Sequence, residues 1–312
     1  MSRTSELRGR GRALPAALLP TVLPALMLLG GCAAGGGPGE SGGEPAIGSP
    51  PVIRDGTQIK LPLDAYIPEE GVLGKANDLL LQDCVRRYGF SLGAAAAPKP
   101  RPRNERRFGI VDAEVAARHG YGLPPEAKTG AAGQQRQLAV PNPPPTEVLY
   151  GRASDSSRQT VQNYAGKPVP AGGCIGEVRA RLSSGAPARA DIRLGERLAN
   201  QAHAQAEHDS RVTSAWALWS RCMAKLGYTY KTPWDAHDDP QWQRRESAGS
   251  REIRTARADI ACRNETNMVG IWLAVESAYQ RRLVEKNSLA LAETRKLLDA
   301  LQRNVADVMA GR

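Results

Sequence analysis

Acid–base or metal chemistry in this sequence would fall first to its four histidines, whose ordinary titration lies nearest neutrality. His203 and His208 stand five apart in HAQAEH, so on a helix they point in different directions. The string also lacks the His-Glu-x-x-His order that sets two ligands on one face with a base between them. It reads as an exposed polar face. His237-Asp238-Asp239 groups three ligand types, but sequence neighbours rarely converge on one ion. The plainer expectation there is a solvated loop whose Asp239 caps the next helix. No nucleophile elbow, phosphate-cradling loop or dinucleotide fingerprint occurs beyond residue 32. We therefore expect no catalytic residue, no metal site and no cofactor. A hydrolase would need at least two of His119, His237, Asp238 and Glu177 to converge in one pocket.

The cysteines say more. Leu29-Gly30-Gly31-Cys32 has the form of a bacterial lipobox: a branched apolar residue, two small residues, then the thiol that accepts a diacylglycerol. Ahead of it, Arg3, Arg8, Arg10 and Arg12 precede an uncharged Ala/Leu stretch, the pattern of a secretory leader. Pro15, Pro20 and Pro24 interrupt that stretch, which is too short for a spanning helix. Cleavage between Gly31 and Cys32 is the expectation; the alternative is an ordinary cut near Ala33 or Ala34. Two acyl chains hold a protein on a membrane where one chain is marginal. Residues 32–58 open with a run of Gly, Pro, Ser and Ala and read as a disordered tether, some 25 Å in mean reach.

Cys84, Cys174, Cys222 and Cys262 remain, an even number in an exported chain, where disulfides persist. LLLQDCVRRYGF (79–90) and ALWSRCMAKLGY (217–228) each place a cysteine four residues before Gly and an aromatic ring. Gly89 and Gly227 fall where a helix C′ glycine turns left-handed, and Arg86, Arg87 and Lys225 suit the last turn. Read as two related half-modules, the segments imply Cys84–Cys174 and Cys222–Cys262. Glycine at a helix end is common, so three connectivities stay open. Zinc is a poor reading, because no Cys-x2-Cys pair exists.

Those residues need elements to position them. Two phenylalanines, scarce alternation and a second half rich in Ala, Arg, Leu, Gln and Glu predict a mainly α fold. It would consist of disulfide-clamped helical hairpins with long Pro/Gly-rich loops, preceded by the tether. Helix is expected over 69–88, at 112–119 with Asp112 as its cap, over 195–226, and from 250 onward. Prolines crowd residues 91–170 and forbid long regular elements there. Unbroken helix from 250 to Met309 would reach about 90 Å, against a domain radius of gyration near 18 Å. A break at Asn287-Ser288, with Ser288 as N-cap, resolves this. Leu291, Leu298 and Val305 then form a stripe that needs its own core or another chain. The predicted division is 1–31 leader, 32–58 tether, 59–190 loop-rich first half-module and 191–312 helical hairpin with a terminal amphipathic helix.

The whole chain carries a net charge of +10, and loss of the leader leaves it basic. Its densest basic strip is Lys99, Arg101, Arg103, Arg106 and Arg107, interleaved with prolines, a candidate contact for anionic wall polymer or headgroups. The bland alternative is a solvated loop. Nucleic acid is a poor partner for an exported chain. LPLDAY (61–66), DCVRRYGF (83–90), NERRFGIVD (104–112), GYGLPP (120–125), GGCIGE (172–177) and CMAKLGY (222–228) together resemble uncharacterised secreted lipoproteins of actinobacteria. That resemblance implies a cell-envelope address and no functional residue. The expectation is a non-enzymatic binding protein, lipid-anchored on the extracytoplasmic face of the cell membrane, with an envelope protein or wall polymer as partner. A wall-acting hydrolase and a transporter's solute-binding subunit are the alternatives.

Overall fold

The computed structural model describes residues 43–93, 101–124, 142–155, 157, 159–242 and 247–312. The leader with Gly31, the first part of the tether (32–42, with Cys32) and Lys99 lie outside them. The described chain is mainly helical. Two 3-10 turns, Gly56–Gln58 and Pro62–Tyr66, lead into α1 (Glu70–Arg86). Next comes α2 (Ala113–His119), which starts where expected. Asp112 Oδ1 accepts the N–H of Glu114 at 2.8 Å and that of Val115 at 2.9 Å, two donors the first turn leaves free. The Pro-rich stretch holds little regular structure: α3 (Thr146–Tyr150) and an antiparallel pair, β1 (Asn163–Tyr164) with β2 (Lys167–Pro168). The remaining helices are α4 (Gly173–Leu182), α5 (Leu194–Glu207), α6 (Ser210–Lys225) and α7 (Pro233–His237). After them run α8 (Ser250–Glu265), α9 (Met268–Lys286) and α10 (Ser288–Met309).

Both expected disulfides are present, Cys84–Cys174 and Cys222–Cys262, each with Cα atoms 5.6 Å apart. The two half-modules share their ends as well. Gly89 has φ +85° and Gly227 φ +86°. In each, the aromatic N–H reaches back five residues: Phe90 to the Val85 carbonyl at 3.2 Å, Tyr228 to the Met223 carbonyl at 3.0 Å. This is the Schellman closure, which only a residue tolerant of the left-handed region completes without strain. The likeness extends to the second cysteines. Glu177 and Glu265 each follow by three residues, with carboxylate oxygens 3.9 Å from Cys84 Sγ and 3.5 Å from Cys222 Sγ.

Two long helices expected to be continuous are broken, both by short polar residues. Between α5 and α6, Asp209 caps the new helix, accepting from the Arg211 N–H at 3.0 Å. Its carboxylate is buried and also takes the Arg211 guanidinium at 2.6 Å and the Tyr279 hydroxyl at 3.2 Å. Burial opposes that charge. The Arg211 side chain and backbone N–H and the Tyr279 hydroxyl outweigh it, holding the Asp209 carboxyl below its ordinary range. A folded-state pKa below the unfolded one stabilises the fold above about pH 4 and is lost as pH falls through the folded value. Asp209→Asn should therefore cost about 1–3 kcal/mol at pH 7 and lessen further loss below about pH 4, read by urea unfolding at both pH values. Between α8 and α9, Asn267 adopts φ +48°, a conformation that asparagine visits more readily than most residues. The third break is at Asn287, where Asn287 rather than Ser288 precedes α10. Asp239 caps only a turn, through the Gln241 N–H at 2.9 Å, and α8 starts after Gly249.

The described part of the expected tether, from Glu44 to Gln58, does not hang free. From Glu44 the chain lies along the body: Glu44 accepts from Ser210 N at 2.5 Å, and Pro45 O from Arg211 Nη1 at 2.8 Å. Ile53 is buried in the core. A Cβ on Gly270 of α9 would sit 1.8 Å from the Pro51 carbonyl oxygen, so glycine is what admits this strap. Gly270→Ala should lower stability by about 1–3 kcal/mol despite alanine's better helix propensity. Thermal unfolding, with proteolysis of residues 44–58, reads that effect.

The expected division into halves at 190/191 gives way to one compact unit, Glu44–Arg312. The main core gathers Leu63, Phe108, Trp219, Met223, Trp272 and Val275 from both halves. The terminal stripe finds its partner inside the chain: Leu297, Leu301 and Val305 of α10 pack with Ala76 of α1 and Val178 and Leu182 of α4. Burying an apolar face is what fixes a helix of this kind in water. α10 is therefore a structural helix, not a spare docking face.

Candidate functional site

The main polar site rests on α5 and α9, which pack face to face. Glu276 lies on the buried face of α9, fully removed from solvent, between Trp272 and Gln280 one turn to either side. An unpaired carboxylate there would cost several kcal/mol, so its partners define the site. Arg107 Nε donates to Oε1 at 2.6 Å and Gln280 Nε2 to the same oxygen at 2.8 Å. His203 Nδ1 of α5 meets Oε2 at 2.8 Å. Arg107 also donates to the Ala199 carbonyl at 2.7 Å, and Gln280 accepts the Leu63 N–H at 2.9 Å. Four segments distant in sequence are tied to one carboxylate.

The imidazole is held on its flat face too. His203 stacks on Trp272, centroids 5.4 Å apart and planes 14° apart. Trp272 packs in turn against Phe108, Trp216 and Trp234. His203 Nε2 faces Glu207 at 3.6 Å, and Glu207 accepts the Trp234 indole N–H at 2.7 Å. The ring is thereby fixed in position and orientation.

Above this network opens a cleft of about 550 Å³, within the usual span for small-ligand sites. Its polar lining includes Arg103, Arg106, Arg107, Arg193, Glu196 and His203; Ile67, Pro68 and Ile192 supply an apolar side. Beside it, Asn104 is buried and donates to Asp64 Oδ2 at 2.8 Å, which steadies the loop carrying the arginines. A separate buried pair, Arg263 Nε to Asp259 Oδ1 at 2.6 Å, also takes the Trp219 indole N–H at 2.7 Å. It braces α8 against α6. Burial and the negative Asp259 push the neighbouring Tyr121 phenol far above its ordinary range, so it stays neutral.

The residues named from sequence fare unevenly. His119, His237, Asp238 and Glu177 do not line the cleft. His237 pairs with Asp238 at 2.7 Å, and Glu177 pairs with Arg87 at 2.5 Å beside a disulfide. The one pair among them, His237 with Asp238, lies outside the cleft. Among the described residues, no group of three or more His, Cys, Asp and Glu could hold a metal ion. Nor is the basic strip a row of free cations. Arg101 pairs with Glu105 at 3.0 Å, Arg103 donates to the Pro68 carbonyl at 2.6 Å, and Arg106 donates to the Tyr121 and Gly122 carbonyls at 3.0 Å. Arg107 is committed to Glu276. Folding inward satisfies backbone acceptors that the irregular loop leaves open, so Arg103, Arg106 and Arg107 line the cleft, while Arg101 is exposed outside that lining.

His203 was passed over because its neighbour His208 made the wrong metal spacing. A better signal was present in α9. Glu276 and Gln280, four apart, fall within the apolar run from Met268 to Leu283, and polar residues in such a run mark a buried network. No protein family, curated protein or solved structure matches the chain, so the site is interpreted on its own chemistry.

Proposed function

We propose that the chain is a lipid-anchored protein of the cell envelope, exposed on the extracytoplasmic face, that works by binding and not by catalysis. The observation that carries the address is the pair of disulfides, bonds that persist in oxidising compartments and are rare in the cytosol. It agrees with the leader and the Leu29-Gly30-Gly31-Cys32 lipobox, and with the likeness to secreted lipoproteins of actinobacteria. Binding is favoured over chemistry by the cleft's composition. Its described lining holds arginines, amides and carboxylates around a fixed imidazole, with no Ser, Thr, Cys or Lys to serve as a nucleophile. A wall hydrolase with a Ser, Thr or Cys nucleophile would need that group elsewhere, and of the two carboxylates in the lining Asp64 is held by the Leu61 N–H and the Asn104 amide. A transporter's solute-binding subunit, built of two α/β lobes, does not fit a body whose described sheet is one two-stranded pair.

Detergent-phase partition in a host that processes lipoproteins tests the address. Wild type should enter the detergent phase and Cys32→Ala should stay aqueous. Wild type left in the aqueous phase would remove the anchor from the account.

A further inference from the structure

We infer that the cleft over Glu276 binds a small organic oxyanion, a carboxylate or phosphate on a short apolar body. The inference rests on the binding reading above and narrows it to a ligand class. Of the guanidiniums lining the cleft, Arg107 alone is neutralised by a carboxylate, Glu276 at 2.6 Å. Arg103 and Arg106 donate only to backbone carbonyls. Among the described residues the Arg193 side chain makes no hydrogen bond or ion pair; it stands exposed just before α5 in the field of Asp191, whose carboxylate is itself paired with Arg197. Arg106 is partly buried as well, and burial pulls its pKa down more than the charges of Glu105 and Asp112 lift it.

Guanidinium forks match carboxylate and phosphate geometry, and such charge-assisted bonds are the strong ones. The first turn of α5 adds the positive end of a 14-residue helix beside Arg193. Two carboxylates of the lining oppose this field, and Asp191, Glu105 and Asp112 act on the same arginines from outside it. Asp64 is occupied by the Leu61 N–H at 2.8 Å and the Asn104 amide. Glu196 has no partner among the described residues and stands as the element that weakens anion binding. The apolar side sets the rest of the ligand. Ile192 is 37% exposed, and Ile67 and Pro68 line the same cleft. Inorganic phosphate would leave that apolar side unused; a few methylenes attached to the anion would cover it.

Isothermal titration of the full lipidated protein in non-ionic detergent at pH 7 tests this, with hexanoate, hexyl phosphate and hexylamine as probes. At least one anion should bind, and the amine should not. Arg193→Gln should weaken that anion about five- to tenfold, as expected for one charge-assisted contact. Glu196→Gln should tighten it by about two- to fivefold, since it removes a like charge in a partly screened site. Both positions are exposed and serve no packing role, so unchanged melting temperatures would show that the variants fold. Failure of both anions overturns the inference, and so does binding indifferent to both variants. Hexylamine binding that Glu196→Gln abolishes would overturn it too, while leaving a binding protein of different ligand class. The binding reading itself falls if none of the probes binds and the protein instead turns over a wall polymer.

Discussion

Glu276→Ala is expected to destabilise the protein by about 3–5 kcal/mol, the usual cost of removing one partner from a buried ion pair. The carboxylate is fully buried and is the acceptor shared by Arg107, Gln280 and His203. Its loss leaves the largely buried Arg107 guanidinium with the Ala199 carbonyl, and removes the hydrogen bond at His203 Nδ1. Glu276→Gln keeps the size and an acceptor oxygen, so its cost should be smaller, on the order of 1–3 kcal/mol. Equilibrium urea unfolding at pH 7 separates the two. A Glu276→Ala protein within about 1 kcal/mol of wild type would mean that the network is ornamental.

Cys84→Ser with Cys174→Ser should cost about 4–5 kcal/mol, from the loop entropy returned to an unfolded chain whose bridged cysteines stand 90 residues apart. The Cys222–Cys262 bridge, 40 apart, should be worth slightly less, about 4 kcal/mol. The two losses should differ in place as well as size. Cys84 and Cys174 are half of a small apolar cluster with Val85 and Val148, flanked by Phe90 and Tyr164. That cluster is what orders α3 and the β1–β2 pair, so hydrogen exchange in 146–168 should rise most. Cys222 and Cys262 lie in the main core, where Trp219, Met223 and Trp272 retain their packing. Equal protection of 146–168 in both proteins would contradict that division.

Much of the helical layout was legible because its signals are local. Asp112 before an amphipathic turn, Gly89 and Gly227 after one, and the length limit that forces a break near Asn287 each act within a few residues. The disulfide pairing followed from a short repeat. What escaped depends on distant partners. Asp209 looked like one more polar residue within a helix until Arg211 and Tyr279 were placed around it. The composition of residues 44–58 reads as tether, since nothing in it shows that Gly270 leaves room for Pro51. The site is the sharpest case. Arg107, His203 and Glu276 come from three separate segments, and only packing of α5 on α9 brings them together.

The measurement that bears most directly on the account is the intact mass of the protein extracted from membranes of a host that processes lipoproteins. We predict a chain that begins at Cys32 and carries a diacylglyceryl group, with four fewer hydrogens than the reduced sequence for its two disulfides. A lipid-free chain, whether it begins at Met1 or just after Cys32, would contradict the anchored, extracytoplasmic address on which the proposed function stands.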